Sequence, residues 1–181
     1  SLYYLYRRFW KKQKRHAELF EERREEWFAQ GYDHLGRPPQ PCLSDPELVQ
    51  QFIQDARDYF NGKPMDGKIR AAGDCFVIVP NDNSSWCKCK DCQAQILDEP
   101  TRGTGFTDRA SDYVYGFINR VAHAVRETHP DKRICTLAYA QYAYPPRNVQ
   151  LELNVEVMLC ISPRKWYNPN VKQQDLKRLE D

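Results

Sequence analysis

The sequence predicts an α/β fold in which parallel strands alternate with helices. Two observations carry this reading. Segments with a helical apolar period alternate along the chain with short β-branched apolar runs, an order that builds βα units. The run Cys75-Phe-Val-Ile-Val-Pro80, bounded by Gly73 and Pro80, is apolar throughout, as expected of a strand buried on both faces of a parallel sheet. The 181 residues form one domain by length, enough to bury a core without disulfides.

Taken in order, residues 1–30 read as a helix. Tyr3, Tyr6, Phe9, Trp10, Leu19, Phe20, Trp27 and Phe28 form a broken stripe. A basic run from Arg7 to Arg15 precedes Glu21, Glu22, Glu25 and Glu26, which reads as a solvated, salt-bridged face. Gly31 to Pro41 is a loop, and Gln40 to Ser44 a short extended piece. Ser44-Asp-Pro-Glu47 has the form of a capping box, with Asp45 as a further capping group. Leu48, Val49, Phe52, Ile53, Ala56, Tyr59 and Phe60 then keep a helical period that Asn61-Gly62 ends. A polar, cysteine-rich loop runs from Asn81 to about Thr107. A helix follows over about 108–127, then strands at Arg133–Tyr139 and Val155–Ile161 and a charged helix from Val171. Both chain ends read as cuts through a longer protein.

Composition excludes some functions. Lys plus Arg is 27 against 25 Asp plus Glu, a net charge of +2, which argues against a nucleic-acid partner. No apolar run is long enough for a membrane span. Aromatic residues make up 13 %, with 4 Trp and 11 Tyr, a composition that suits an aromatic-lined carbohydrate site.

In βα folds ligands bind at the carboxyl ends of the strands. There the chain places Asn81-Asp82-Asn83 with Trp86 four residues beyond Asp82. Amides and a carboxylate can fork onto sugar hydroxyls while an indole face covers the ring. Asp82 is therefore the candidate catalytic acid/base, and Asn81, Asn83 and Trp86 are candidate sugar ligands; the same string also reads as plain turn chemistry. Glycosidic cleavage normally takes two carboxylates, and the only other one at a strand end is Asp45. Tyr139, Arg164 and Trp166 follow later strands and complete the candidate sugar site, Arg164 as a fork for an acidic sugar. The four His sit in polar, helical or turn sequence and read as surface or packing residues.

Cys87-Lys-Cys89-Lys-Asp-Cys92 puts three thiols within six residues, and Cys42, at the end of the preceding extended piece, is the natural fourth. A structural zinc on Cys42, Cys87, Cys89 and Cys92 would fasten the loop beside Asp82. A disulfide among these four, or free thiols, stay open as alternatives. Cys75, Cys135 and Cys160 lie on expected strands and read as inert core residues.

The strings Gly36–Glu47, Val79–Cys92, Ala110–Tyr113, Phe117–Ala122, His129–Lys132 and Leu137–Tyr139 together resemble an uncharacterised bacterial domain-of-unknown-function family, over about residues 25–165. The CxCxxC block after Pro80-Asn-Asp is the most specific part. The resemblance implies an α-glucuronidase-like, glycoside-hydrolase-like (β/α)8 TIM barrel acting on polysaccharide, often beside a β-hexosaminidase-type N-terminal domain in secreted or periplasmic proteins. On that basis residues 1–181 would be the central piece of a partial barrel, with the remaining barrel segments of the full-length protein as partners. Two rival readings are a non-catalytic carbohydrate-binding domain and a zinc-clamped interaction domain.

Overall fold

The computed structural model describes residues 2–65 and 69–180. Ser1 and Asp181, the ends of the expected 1–181 domain, lie outside the described residues. The strands are β1 (Ala71–Ala72), β2 (Cys75–Val77), β3 (Arg133–Ala138) and β4 (Val155–Leu159). The helices are α1 (Pro46–Phe60), α2 (Lys90–Gln93), α3 (Ser111–Thr128) and α4 (Pro169–Glu180). Among the described residues no helix is long and apolar enough to cross a membrane.

The sheet order is β1-β2-β3-β4. β2, β3 and β4 run parallel, as expected, but β1 pairs antiparallel with β2. The expected barrel is therefore replaced by a small open mixed sheet, with no eightfold closure among the described residues. One local cause is the turn at Gly73, whose φ of 56° is open to glycine at little cost. It reverses the chain between Ala72 and Cys75 and sets an antiparallel strand on the edge.

Burial alternates along β2 and β3, because successive side chains leave a pleated strand on opposite faces. Phe76, Ile78, Ile134 and Ala138 are buried on one face, under α1 and α3. On the other face Cys75, Val77, Cys135 and Leu137 are half-buried, and Met158 on β4 is 67 % exposed. The strand from Cys75 is thus not covered on both sides. Cys75, Cys135 and Cys160 are half-buried rather than the inert core thiols the sequence implied.

α1 begins as its sequence dictates, with one change of role. Asp45, not Ser44, is the N-cap: its carboxylate accepts the Leu48 N–H at 2.9 Å, and Pro46 occupies the first turn. Ser44 Oγ instead accepts from Gln95 Nε2 at 3.0 Å, and Glu47 pairs with Arg24 at 3.2 Å. Leu48, Val49, Phe52, Ile53 and Ala56 are buried on one stripe, and Asn61 and Gly62 (φ 73°) end the helix. α3 buries Tyr113, Val114, Phe117, Ile118, Val121 and Val125 against it, with Phe52 and Phe117 edge to face at 5.1 Å. Each such side chain contributes about 1.5–3 kcal/mol by leaving water.

Residues 2–30 do not form the expected helix. They fold as short turns at Tyr6–Trp10, Lys14–Leu19 and Glu25–Trp27, with extended backbone at Lys11, Gln13 and Phe20. The aromatic stripe has a gap between Trp10 and Leu19, so no single helix could bury both halves. Turning the chain lets both halves reach the core: Tyr4, Tyr6, Phe9, Trp27 and Phe28 are all buried. The salt-bridged reading holds in part, but Arg8 turns inward, 2.6 Å from the buried Asp55 and 2.6 Å from Glu21.

Candidate functional site

The four cysteines are drawn together from three pieces of chain. An isolated bridge joins Phe28 to Pro41, and the Cys42 N–H donates to Trp27 O at 2.9 Å, which brings Cys42 beside residues 27–30. Lys88 N donates to Gln30 O at 3.2 Å, and Gln93 Nε2 donates to Cys87 O at 2.7 Å. The loop bearing Cys87 and Cys89 is thereby laid on the same strip, while Cys92 comes from α2. The four Sγ atoms all lie within 4.8 Å of one another.

The sulfur spacing bears on the alternatives left open by the sequence. Cys42 Sγ is 3.6 Å from Cys92 Sγ and 3.9 Å from Cys89 Sγ. A tetrahedron of sulfurs about 2.3 Å from a central ion has edges of about 3.8 Å. A disulfide needs about 2.05 Å. All seven cysteines are free thiols. The cluster is thus compatible with a structural metal held by Cys42, Cys87, Cys89 and Cys92.

The surroundings favour thiolate at Cys92. The backbone N–H of Gln30 donates to Cys87 Sγ at 3.3 Å. Tyr113 Oη lies 3.2 Å from Cys92 Sγ and accepts the Leu43 N–H at 3.0 Å, so its own proton is left to point at the sulfur. Donation from Cys42 and Cys87, with Ser44 and Tyr113 adding to it, holds the Cys92 thiol far below its ordinary value. Cys42, which donates to Cys87 and Cys92 and is buried, is pushed far above. Arg120 donates to Leu43 O at 2.7 Å and brings a positive charge near Cys92. Cys42, Cys87 and Cys92 are buried, so four thiolates here without a cation would repel at close range in a low dielectric.

Asp82 lies in the loop that leaves β2, exposed on the rim of a cleft of about 460 Å³. Pro80, Leu137, Tyr139, Tyr142 and Cys160 form other parts of the wall, so the cleft opens at the carboxyl ends of β2 and β3. The carboxylate of Asp82 and, after it, burial raise the Tyr139 hydroxyl above the ordinary tyrosine value. Asp82 and Tyr139 are therefore brought together at one cleft.

Asn81 and Asn83 line the same cleft, but their amide nitrogens are tied down. Asn81 Nδ2 donates to Tyr6 Oη at 3.1 Å and to Pro39 O at 3.0 Å. Asn83 Nδ2 donates to Pro39 O at 3.1 Å, and its Oδ1 accepts the Ser85 N–H at 3.0 Å. Gln40 closes the knot: it accepts the Asn81 N–H at 3.0 Å and donates to Asn81 O at 2.7 Å. Only the Asn83–Ser85 bond is the turn chemistry that the same string of residues allowed; the others tie the loop to Tyr6, Pro39 and Gln40.

Trp86 is buried rather than open to a ligand. Its Nε1 donates to Gln141 Oε1 at 2.7 Å, and its ring stands edge-on to Tyr113 (5.7 Å) and Tyr142 (6.2 Å). It thus spans from the hydroxyl beside Cys92 to the wall of the Asp82 cleft. Arg164 and Trp166 are not brought to Asp82. They lie in and after the turn Pro163–Lys165, where Trp166 Nε1 donates to Asp175 Oδ2 at 2.9 Å and Arg164 is exposed. Their neighbours Ser162 and Lys165 line a different cavity of about 330 Å³.

Gln40, Ser44, Tyr113 and Arg120 support the site without having been foreseen. Tyr113 and Arg120 lie on α3, whose apolar period shows only that it packs, and nothing local marks Gln40 as a partner of residues 81–83.

A family model described as a domain of unknown function (DUF4838) matches residues 6–180, a longer span than the resemblance over 25–165. No curated protein and no solved structure matches the chain.

Proposed function

We propose that this chain, which belongs to the DUF4838 family of domains of unknown function, is a zinc-clamped carbohydrate-binding domain with the Asp82 cleft as its sugar site. The observation that carries the proposal is the cleft itself: a carboxylate on a strand-end loop, facing Tyr139 and Tyr142, beside a four-cysteine cluster. Asp82 accepts hydrogen bonds from sugar hydroxyls, and the tyrosine rings supply apolar wall for the carbon face. Zinc is the fitting ion because four thiolates select a soft, tetrahedral cation, and a set of four protein ligands leaves no reactive position. Its role is to hold the loop from Asn81 to Cys92.

Cleavage of a glycosidic bond, with Asp82 as acid/base, is the rival reading. It takes a second carboxylate, and Asp82 is the only acid lining the cleft among the described residues. Binding therefore fits this chain better than hydrolysis by this chain alone.

The test is calorimetric titration of the zinc-loaded chain with neutral and uronic-acid oligosaccharides. Saturable binding is expected for at least one class, weakened about tenfold or more by Asp82→Asn, which loses one or two charged hydrogen bonds. The melting temperature should barely move, since Asp82 is exposed. No binding to any of the panel, or equal binding by the variant, would reject the proposal. Hydrolysis products in the same titration would restore the rival.

A further inference from the structure

The uncovered face of the sheet carries a second group of soft ligands. Cys135 on β3 is in register with Val77 on β2 and with Glu156 on β4. Cys75 stands two residues before Val77, and so on the same face. Cys75 Sγ and Cys135 Sγ both lie 3.6 Å from a single oxygen, Glu156 Oε2, and the three ligand atoms fall within 4.8 Å of one another. The other carboxylate oxygen, Oε1, is taken by Arg133 in an ion pair. One oxygen is thus held outward by a guanidinium while its twin meets both thiols.

That spacing matches a tetrahedral metal centre. With a metal–sulfur bond of about 2.3 Å and a metal–oxygen bond of about 2.0 Å, the sulfur–oxygen edge of a tetrahedron is about 3.5 Å. A disulfide between Cys75 and Cys135 would need an oxidant and would leave the convergence on Glu156 Oε2 without a role. The three ligands also come from three adjacent hydrogen-bonded strands, so the backbone holds them without loop ordering.

We propose that Cys75, Cys135 and Glu156 form a second zinc site, with three protein ligands and a fourth position open to water or a ligand atom. Zinc replaces the two thiol protons, which pass to solvent, and no electron is transferred. Arg133 is a positioning residue that orients the carboxylate. The open position shares a face with Leu137, two residues along β3, which lines the Asp82 cleft. The site stands on its own geometry and does not depend on the sugar reading.

The test uses the full chain under reductant, with zinc counted by plasma mass spectrometry after gel filtration. Wild type is expected to hold two zinc ions and the Cys75→Ser/Cys135→Ser double variant one. Loaded with cobalt(II), the double variant should lose from the wild-type charge-transfer band the share of a two-thiolate site and keep the band of the four-cysteine cluster. Glu156→Gln keeps both thiols and should bind zinc at this site about tenfold or more weakly. Three results would overturn the proposal: equal zinc in wild type and the double variant, equal affinity in Glu156→Gln, or a Cys75–Cys135 disulfide found in the chain purified without oxidant. The melting temperature of each variant reports whether it has folded.

Discussion

Cys42→Ser separates the clamp from its ion. On the proposed zinc clamp, Cys42 is the one thiol of the cluster outside the 87–92 segment, and a metal bridging it to Cys92 closes a loop of 50 residues. Cross-linking a loop of that length removes about 14 cal/mol/K from the unfolded chain, or about 4 kcal/mol at 25 °C. For a domain of this size, 1 kcal/mol moves Tm by about 2–4 °C. Stripping zinc from the wild type with a chelator under reductant should therefore lower Tm by about 8–16 °C in a calorimeter. In Cys42→Ser the remaining three thiols can still hold the ion, but they close only a short loop. That variant should melt near the stripped wild type, and chelator should change it much less. If zinc raised the Tm of Cys42→Ser as much as that of the wild type, the clamp argument would fail.

Other perturbations follow from the same geometry. Tyr113→Phe removes the hydroxyl that serves Cys92 and strands the buried Leu43 N–H; it should cost about 1–3 kcal/mol in urea unfolding and weaken zinc about 10–100-fold in a competition assay. Burial alone would raise the Asp108 carboxyl, but the Thr101 hydroxyl, the N–H groups of Thr101 and Arg102 and the Arg147 guanidinium hold it at about 2, below its ordinary 3.8. Its folded pKa is depressed, so this contribution, about 2 kcal/mol, is complete above pH 4 and is lost as pH falls from 4 to 2. Asp108→Asn should flatten that part of the stability–pH curve, and an unchanged slope would remove Asp108 as the cause. Ala140 has a φ of 49°, where a side chain is strained, so Ala140→Gly should be neutral or stabilising by up to about 1 kcal/mol in the same unfolding assay.

What the sequence revealed was mainly local. α1 and α3 follow from an unbroken 3.6-residue period, and β3 and β4 from apolar runs set off by turns. The cysteine cluster was legible because three thiols in six residues need few long-range assumptions, and Cys42, at the end of an extended piece, was the fourth left once Cys75 was assigned to an apolar strand. Direction and closure of a sheet are long-range properties, so the same alternation that marked parallel pairs could not tell an open mixed sheet from a barrel. Gly73-Asp74 between Ala72 and Cys75 is a two-residue hairpin signal, but a two-residue β1 gives no period to read beside it. Trp86 looked like a sugar platform because an indole at a strand end serves equally well as core. Its burial depends on Tyr113, Tyr142 and Gln141, residues 27 to 56 positions away. Cys75 and Cys135 looked like core because each sits in an apolar strand, and only the open side of the sheet leaves them facing Glu156.

The central claim is that Cys42 and the Cys87–Cys92 segment share one ion. X-ray absorption at the zinc edge of Cys75→Ser/Cys135→Ser, in which the sheet-face thiols are gone, tests it most directly. Four sulfur neighbours at about 2.3 Å, with no nitrogen or oxygen bound to the zinc, are expected. A shell with two or fewer sulfurs, or a protein that retains no zinc while its thiols stay reduced, would contradict it.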